Sequence, residues 1–184
     1  MNKPCGYVCS AVSDSHKTVY QLLTPEMQAL VQGAKRGNRL HTVGRLDADT
    51  GGLLLFTTDG QFSHRITAKQ EISKTYLVTL VSPVTAEQQE EYISRAAAGL
   101  TLPPEKKYGE QQAEPAILHF IKSDICEITI HEGKFHEVRR IFRALGNEVK
   151  TLDRIAIGKL TLPDKLEPGA YRDLSGSEIN LIFM

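Results

Sequence analysis

HTVGRLDADTGGLLLFTTDG, residues 41–60, sets Arg45, Asp47 and Asp49 directly before an apolar run that opens with two glycines. The run Gly52 to Thr57 is short, apolar and bounded by turn residues, and so reads as a buried strand. Charges at the mouth of such a strand cost free energy unless a turn, a partner or a function holds them there. In extended chain Asp47 and Asp49 would share one face, with Leu46 on the other, the arrangement of a carboxylate pair that works on a glycosidic bond. An aspartate before Gly51-Gly52 also bonds nearby amides and makes a turn. On spacing alone the turn is the better reading.

Working outward, further strand-like runs are Thr75 to Val81, Ala116 to Ile121 and Ile125 to Ile130. Helices are expected at Thr18 to Leu23, over Gly60 to Ile66 behind an Asp59 cap, and over Thr85 to Ala98, with Thr85 as N-cap and Gly99 as the stop. Phe135 to Leu145 is the clearest: Val138, Ile141, Phe142 and Leu145 recur at i, i+3, i+4 and i+7, and Gly146-Asn147 closes it. Gly33 to Asn38 and Pro103 to Lys107 read as loops. This irregular alternation predicts an α+β fold around a mixed, mostly antiparallel sheet.

The composition is that of an ordinary globular chain: 184 residues, 41% hydrophobic and 24% charged. No run of about 18 apolar residues is present, and MNKPCGYVCS lacks the pattern of a signal peptide, so the expected location is the cytoplasm, without membrane contact. Cys5, Cys9 and Cys126 form an odd set without zinc spacing and read as reduced thiols. Net charge is zero, from 22 basic and 22 acidic residues, which argues against a strongly basic nucleic-acid protein. The distribution is uneven, however. His131 to Leu160 holds seven Lys or Arg against four acids, and residues 33–45 hold Lys35, Arg36, Arg39 and Arg45 with no acid. A neutral chain so arranged can carry a basic face.

Phosphate-loop, dinucleotide, His-Glu-x-x-His and Gly-x-Ser-x-Gly motifs are all missing, so the corresponding chemistries lose their usual supports. On the 135–145 helix, Arg139 flanks the apolar arc while Arg140 and Arg143 lie further round, which points Arg139 alone along the protein body. An exposed basic face is the commoner meaning of such a pattern. Tyr76, behind Lys74, suits a core or rim position equally.

GRLDADTGGLLLFTTDG resembles the Gly-Arg-Leu-Asp signature of the pseudouridine synthases, in the RsuA-type branch. The likeness continues in chain order. NKPCGYVCS resembles the Lys-Pro-x-Gly opening motif, SHRITAKQEISKTYLVTL the segment with the family tyrosine, HEGKFHEVRRIFRALGNEV the Glu-Gly-x-x-His-Gln-Val-Arg-Arg helix, and RIAIGKLTLPDKLEPGAYRDL the closing pattern. The resemblance implies the family's α+β fold, with flanking helices and a catalytic cleft, and one catalytic domain over 1–184; in a departure from the branch, its common N-terminal S4-like RNA-binding domain is not expected in this chain. It implies isomerisation of a uridine in ribosomal RNA, small-subunit 16S RNA first, with no cofactor or metal. The partner is then ribosomal RNA or a small-subunit assembly particle, and a monomer is expected. The alternatives are a large-subunit uridine, or a non-catalytic RNA-binding or assembly factor on the same fold; a carboxylate-pair glycosidase is weaker.

By matching position, the resemblance implies Asp47 as nucleophile, Tyr76 as the ring that stacks on the target base, and Arg139 as the cation that keeps Asp47 ionised. Arg45 takes the arginine position that fills the stack after base flipping. Lys74, His136 and Arg140 fall in RNA-facing positions, with Arg140 expected to matter far less to activity than Arg139. Glu137 replaces the family's usual Gln and would set a negative charge beside Arg139. Asp49 is expected to orient the Asp47 turn.

Overall fold

A computed structural model describes residues 1–32, 39–68 and 72–184. The expected loop Gly33 to Asn38, with Lys35 and Arg36, lies outside the described residues. In chain order the elements are β1 (Asn2–Lys3), β2 (Tyr7–Val8), β3 (Lys17–Thr18), a 3-10 turn (Val19–Leu22), α1 (Pro25–Gln32), β4 (His41–Thr42), β5 (Gly51–Leu53), β6 (Phe56–Thr57), α2 (Gly60–Thr67) and β7 (Lys74–Leu80). There follow α3 (Ala86–Ala98), β8 (Thr101–Leu102), β9 (Gln111–Gln112), β10 (Ile117–Phe120), β11 (Ile125–Ile130), α4 (Glu137–Ala144), β12 (Val149–Ile157), β13 (Leu160–Thr161) and α5 (Gly176–Leu181). They form two compact units, Met1–Ile72 with Arg154–Met184, and Ser73–Asp153. Pairing is mostly antiparallel, as expected for the α+β class; β2 and β3 pair in parallel.

In the first unit β1 pairs with β5, setting Lys3 opposite Gly52. Its core holds Val43, Leu53, Leu55, Ile66, Ile157 and Ile182. The Gly52 to Thr57 run is two strands rather than one: β5 pairs with β1, and β6 pairs with β4. Leu54 and Leu55 stay buried in the bend between them, with Leu54 N donating to Met1 O at 2.9 Å and Val43 N to Leu55 O at 2.8 Å. Unbroken hydrophobicity thus reported burial, and the backbone met its hydrogen-bonding needs by changing partners. Gly52 has φ +95°, and a Cβ there would collide with the Arg154 backbone. Arg154 is itself buried, donating from Nε to Leu53 O at 2.9 Å.

The second unit orders its strands β12–β7–β11–β10, with β12 entering through its first half. Tyr76, Val78 and Leu80 alternate inward on β7, as a half-buried strand requires. Thr85 caps α3 by accepting from Gln88 N at 3.3 Å, Gly99 ends it at φ +79°, and the helix packs on β10. Among the described residues no helix is long and apolar enough to cross a membrane.

Candidate active site

The loop before β5 is a turn rather than extended chain. Thr50 N donates to Asp47 O at 3.1 Å, with Ala48 and Asp49 between them. The shared face that an extended strand would give the two aspartates is therefore lost: Asp47 is half-buried and Asp49 exposed. Arg45 projects from the same loop and is exposed.

Three anchors from the N-terminal segment hold this loop. Lys3, only 1% exposed, donates from Nζ to Thr50 O (2.7 Å), Asp47 O (3.0 Å) and Pro4 O (3.2 Å). Burial lowers its pKa, against an opposing pull that includes Asp47 and Asp49. Cys9 lies on Leu46, its Sγ 3.4 Å from Leu46 N and 3.5 Å from Leu46 O, and burial raises its pKa. Gly6 N donates to Ala48 O at 2.6 Å. The ammonium thus fastens both ends of the Asp47 turn through main-chain carbonyls. Reading by motif found the Lys-Pro-x-Gly stretch without assigning Lys3 a task, because the two motifs meet only in three dimensions.

In the second unit Lys74 and Tyr76 share β7. Tyr76 is 9% exposed and opposite Ile128; Lys74 donates from Nζ to His131 O at 3.2 Å. Helix α4 begins at Glu137, two residues later than expected, because the chain turns first. Lys134 N donates to Glu137 Oε2 at 2.7 Å, Glu137 N to Lys134 O at 3.2 Å, and His136 takes a left-handed φ of 49°. Arg139 is half-buried and donates from Nη1 to Val149 O at 3.2 Å.

Two expectations on this helix are corrected. Arg140, placed among RNA-facing residues, is 0% exposed. Its guanidinium donates to Gln111 Oε1 (2.6 Å), Pro103 O (2.9 Å), Gly109 O (2.9 Å) and Phe135 O (3.3 Å), which makes it an internal clamp. The apolar periodicity missed this because it does not register a guanidinium whose burial is compensated by a full set of acceptors. Glu137, expected to set a negative charge beside Arg139 and weaken phosphate binding there, is 4% exposed and turns inward to Lys134 N. Burial raises its pKa, although Lys134 and Lys74 pull it down.

His136 Nδ1 lies 2.8 Å from Glu105 Oε1, and Arg143 Nη1 lies 3.2 Å from Glu105 Oε2. Burial pushes the Glu105 carboxyl up, but His136 and Arg143 together hold it below its ordinary value. Lys134 is paired with Glu132. Part of the basic surplus of residues 131–160 is therefore internal or already neutralised. Among the described residues no group of three or more His, Cys, Asp or Glu is placed to hold a metal ion.

The model of one family, RNA pseudouridylate synthase, matches residues 1–144, which include the Asp47 loop, β7 and α4. The chain belongs to the RNA pseudouridylate synthase family. It is 43% identical over 180 residues to ribosomal small subunit pseudouridine synthase A of Haemophilus influenzae, spanning 97% of this chain and 70% of that one. The protein of the same name from Escherichia coli is also 43% identical, over 97% of this chain and 71% of its own. A crystal structure of a pseudouridylate synthase superposes with a TM-score of 0.84 at 42% identity, over 99% of this chain and 71% of that one. A chain of a Cbf5-Nop10-Gar1 complex shares the fold, with a TM-score of 0.58 at 15% identity over 87% of this chain and 48% of that one.

Proposed function

We propose that this pseudouridine synthase acts on small-subunit ribosomal RNA, with Asp47 as its nucleophile, and works as a monomer in the cytoplasm. The observation that carries the substrate assignment is the 43% identity, over 97% of the chain, to relatives named for the small ribosomal subunit. The Asp47 assignment is supported by its place in the Gly-Arg-Leu-Asp run and by the way Lys3 fixes that turn through main-chain carbonyls.

In the proposed reaction the bond from ribose C1′ to uracil N1 breaks, the uracil rotates, and a bond from C1′ to C5 replaces it. The C5 proton is lost and N1 gains one, so no oxidant or co-reactant enters. The Asp47 carboxylate forms a transient covalent bond and then leaves. Arg139 is the cationic residue assigned to the reaction, and Tyr76 supplies the ring face for the base. Arg45 occupies the gap in the stack once the uridine is flipped, a step costing about a few kcal/mol. Lys74 and His136 contact the RNA.

Mapping pseudouridines in ribosomal RNA from cells with and without the gene tests this reading. One small-subunit position should lose the modification. Loss at a large-subunit position instead would overturn the substrate assignment, and no lost position would overturn the function.

A further inference from the structure

Residues 103–111 in the second unit carry none of the roles assigned above, yet they are fixed more firmly than a plain connection requires. Arg140 grips the loop through Pro103 O, Gly109 O and Gln111 Oε1. Glu105 and Tyr108 exchange backbone hydrogen bonds of 2.8 and 2.9 Å, while Lys106 between them takes φ 53°. The Glu105 carboxylate is tied to His136 and Arg143.

This scaffold presents rings and cations. Tyr108 stacks on Phe135 with centroids 4.6 Å apart and planes at 19°, and Phe135 stacks on His136 at 3.8 Å and 17°. Lys106 Nζ lies 5.4 Å from the Phe135 centroid and Lys107 Nζ 5.5 Å from that of Tyr108, and both lysines are exposed. Near-parallel rings edged by solvated ammonium groups offer what unpaired RNA needs, a face for a base and charge for its phosphates. An exposed lysine holds an aromatic face more weakly than a stacked base does, so a base displaces Lys107 and leaves it beside the incoming phosphate. Of the loop's two acids, Glu105 is already neutralised and only Glu110 opposes the anion.

We propose that Lys106, Lys107 and Tyr108, backed by Phe135, form a docking platform for an unpaired run of the substrate RNA. The platform rests on the pseudouridine synthase reading and makes the loop a determinant of substrate choice.

The test measures RNA affinity and single-turnover kinetics of the full chain on transcribed small-subunit ribosomal RNA. Lys106→Ala/Lys107→Ala should raise Kd and KM in parallel by about tenfold and flatten the slope of log K against log salt by about 1.4, at roughly 0.7 per phosphate contact. Tyr108→Leu, which keeps apolar volume without a ring, should raise Kd about fivefold or more, and Tyr108→Phe should restore it to within about twofold. In each variant the rate at saturating RNA should move by less than about twofold, since none of these residues carries a role in the reaction itself. An unchanged Kd and salt slope in the double lysine variant would overturn the platform, even if Tyr108→Leu fails to fold. So would variants that bind naked RNA normally but fail only on a protein-bound ribosomal particle, since that result assigns the surface to a protein. A wild-type protein that makes no pseudouridine defeats the functional reading instead.

Discussion

Replacing Arg140 with methionine separates a structural clamp from an RNA contact. Methionine fills much of the buried space but cannot donate, so the acceptors on Pro103, Gly109, Gln111 and Phe135 lose their partner together. Hydrogen bonds from a charged group are worth about 1.5–3 kcal/mol each, but their sum overstates the loss because removing a buried charge also removes its desolvation cost. Gly109 is exposed and the other three acceptor residues are half-buried, so some regain water. The expected destabilisation is therefore about 3 kcal/mol, the lower end for breaking a buried ionic network. For a chain of this size that lowers the melting temperature by about 6–12 °C. Arg140→Lys, which keeps the charge without the fork, should recover about a third of the loss. Thermal melts and RNA binding are measured on the same preparations. A melting temperature within about 1 °C of wild type, with a large fall in RNA affinity, would refute the clamp, since that is how a surface phosphate contact behaves.

Three further outcomes follow from the same contacts. Glu137→Gln keeps an oxygen for Lys134 N and removes a buried charge whose pKa the fold has raised. Between its unfolded and folded pKa values the folded chain binds more protons, so stability falls as pH rises through that window. The variant should melt higher than wild type at pH 8, with the gap closing below about pH 4; an equal gap at both would contradict it. Gly52→Ala must hold φ near +95° and push its methyl into the Arg154 backbone. It should cost about 3 kcal/mol or more in a urea titration, whereas Gly60→Ala, with open space around it, should cost less than about 1 kcal/mol. Lys3→Met strips the Asp47 turn of its shared donor. It should cost about 2 kcal/mol in stability and at least about tenfold in kcat, because a small misplacement of a reacting group is expensive; wild-type kcat would remove Lys3 from the account.

Much of this architecture was legible where local chemistry decides the outcome. Thr85 and Gly99 bound α3, Asp59 caps α2, and Ile125 to Ile130 is β11 at the expected limits. Errors arose where tertiary partners overrode pattern. Strand β12 went unread because Lys150, Asp153 and Arg154 interrupt its apolar residues, although Arg154 points inward to Leu53 O. The apolar run after Asp47 concealed a change of partner between β5 and β6. Helix α4 was visible from its apolar stripe, but the two polar residues it buries, Glu137 and Arg140, break the rule that made it visible. At the candidate site the Asp47 motif could be read from the sequence, whereas the Lys3 and Cys9 supports depend on contacts across more than 35 residues of chain.

The central claim is that Asp47 performs the chemistry, and the most direct measurement is pseudouridine formation by purified Asp47→Asn on small-subunit ribosomal RNA. The account predicts a wild-type melting temperature, RNA affinity close to wild type, and no pseudouridine over a period in which the unaltered chain completes its reaction. Substantial pseudouridine formation by a folded, RNA-binding Asp47→Asn chain would contradict it.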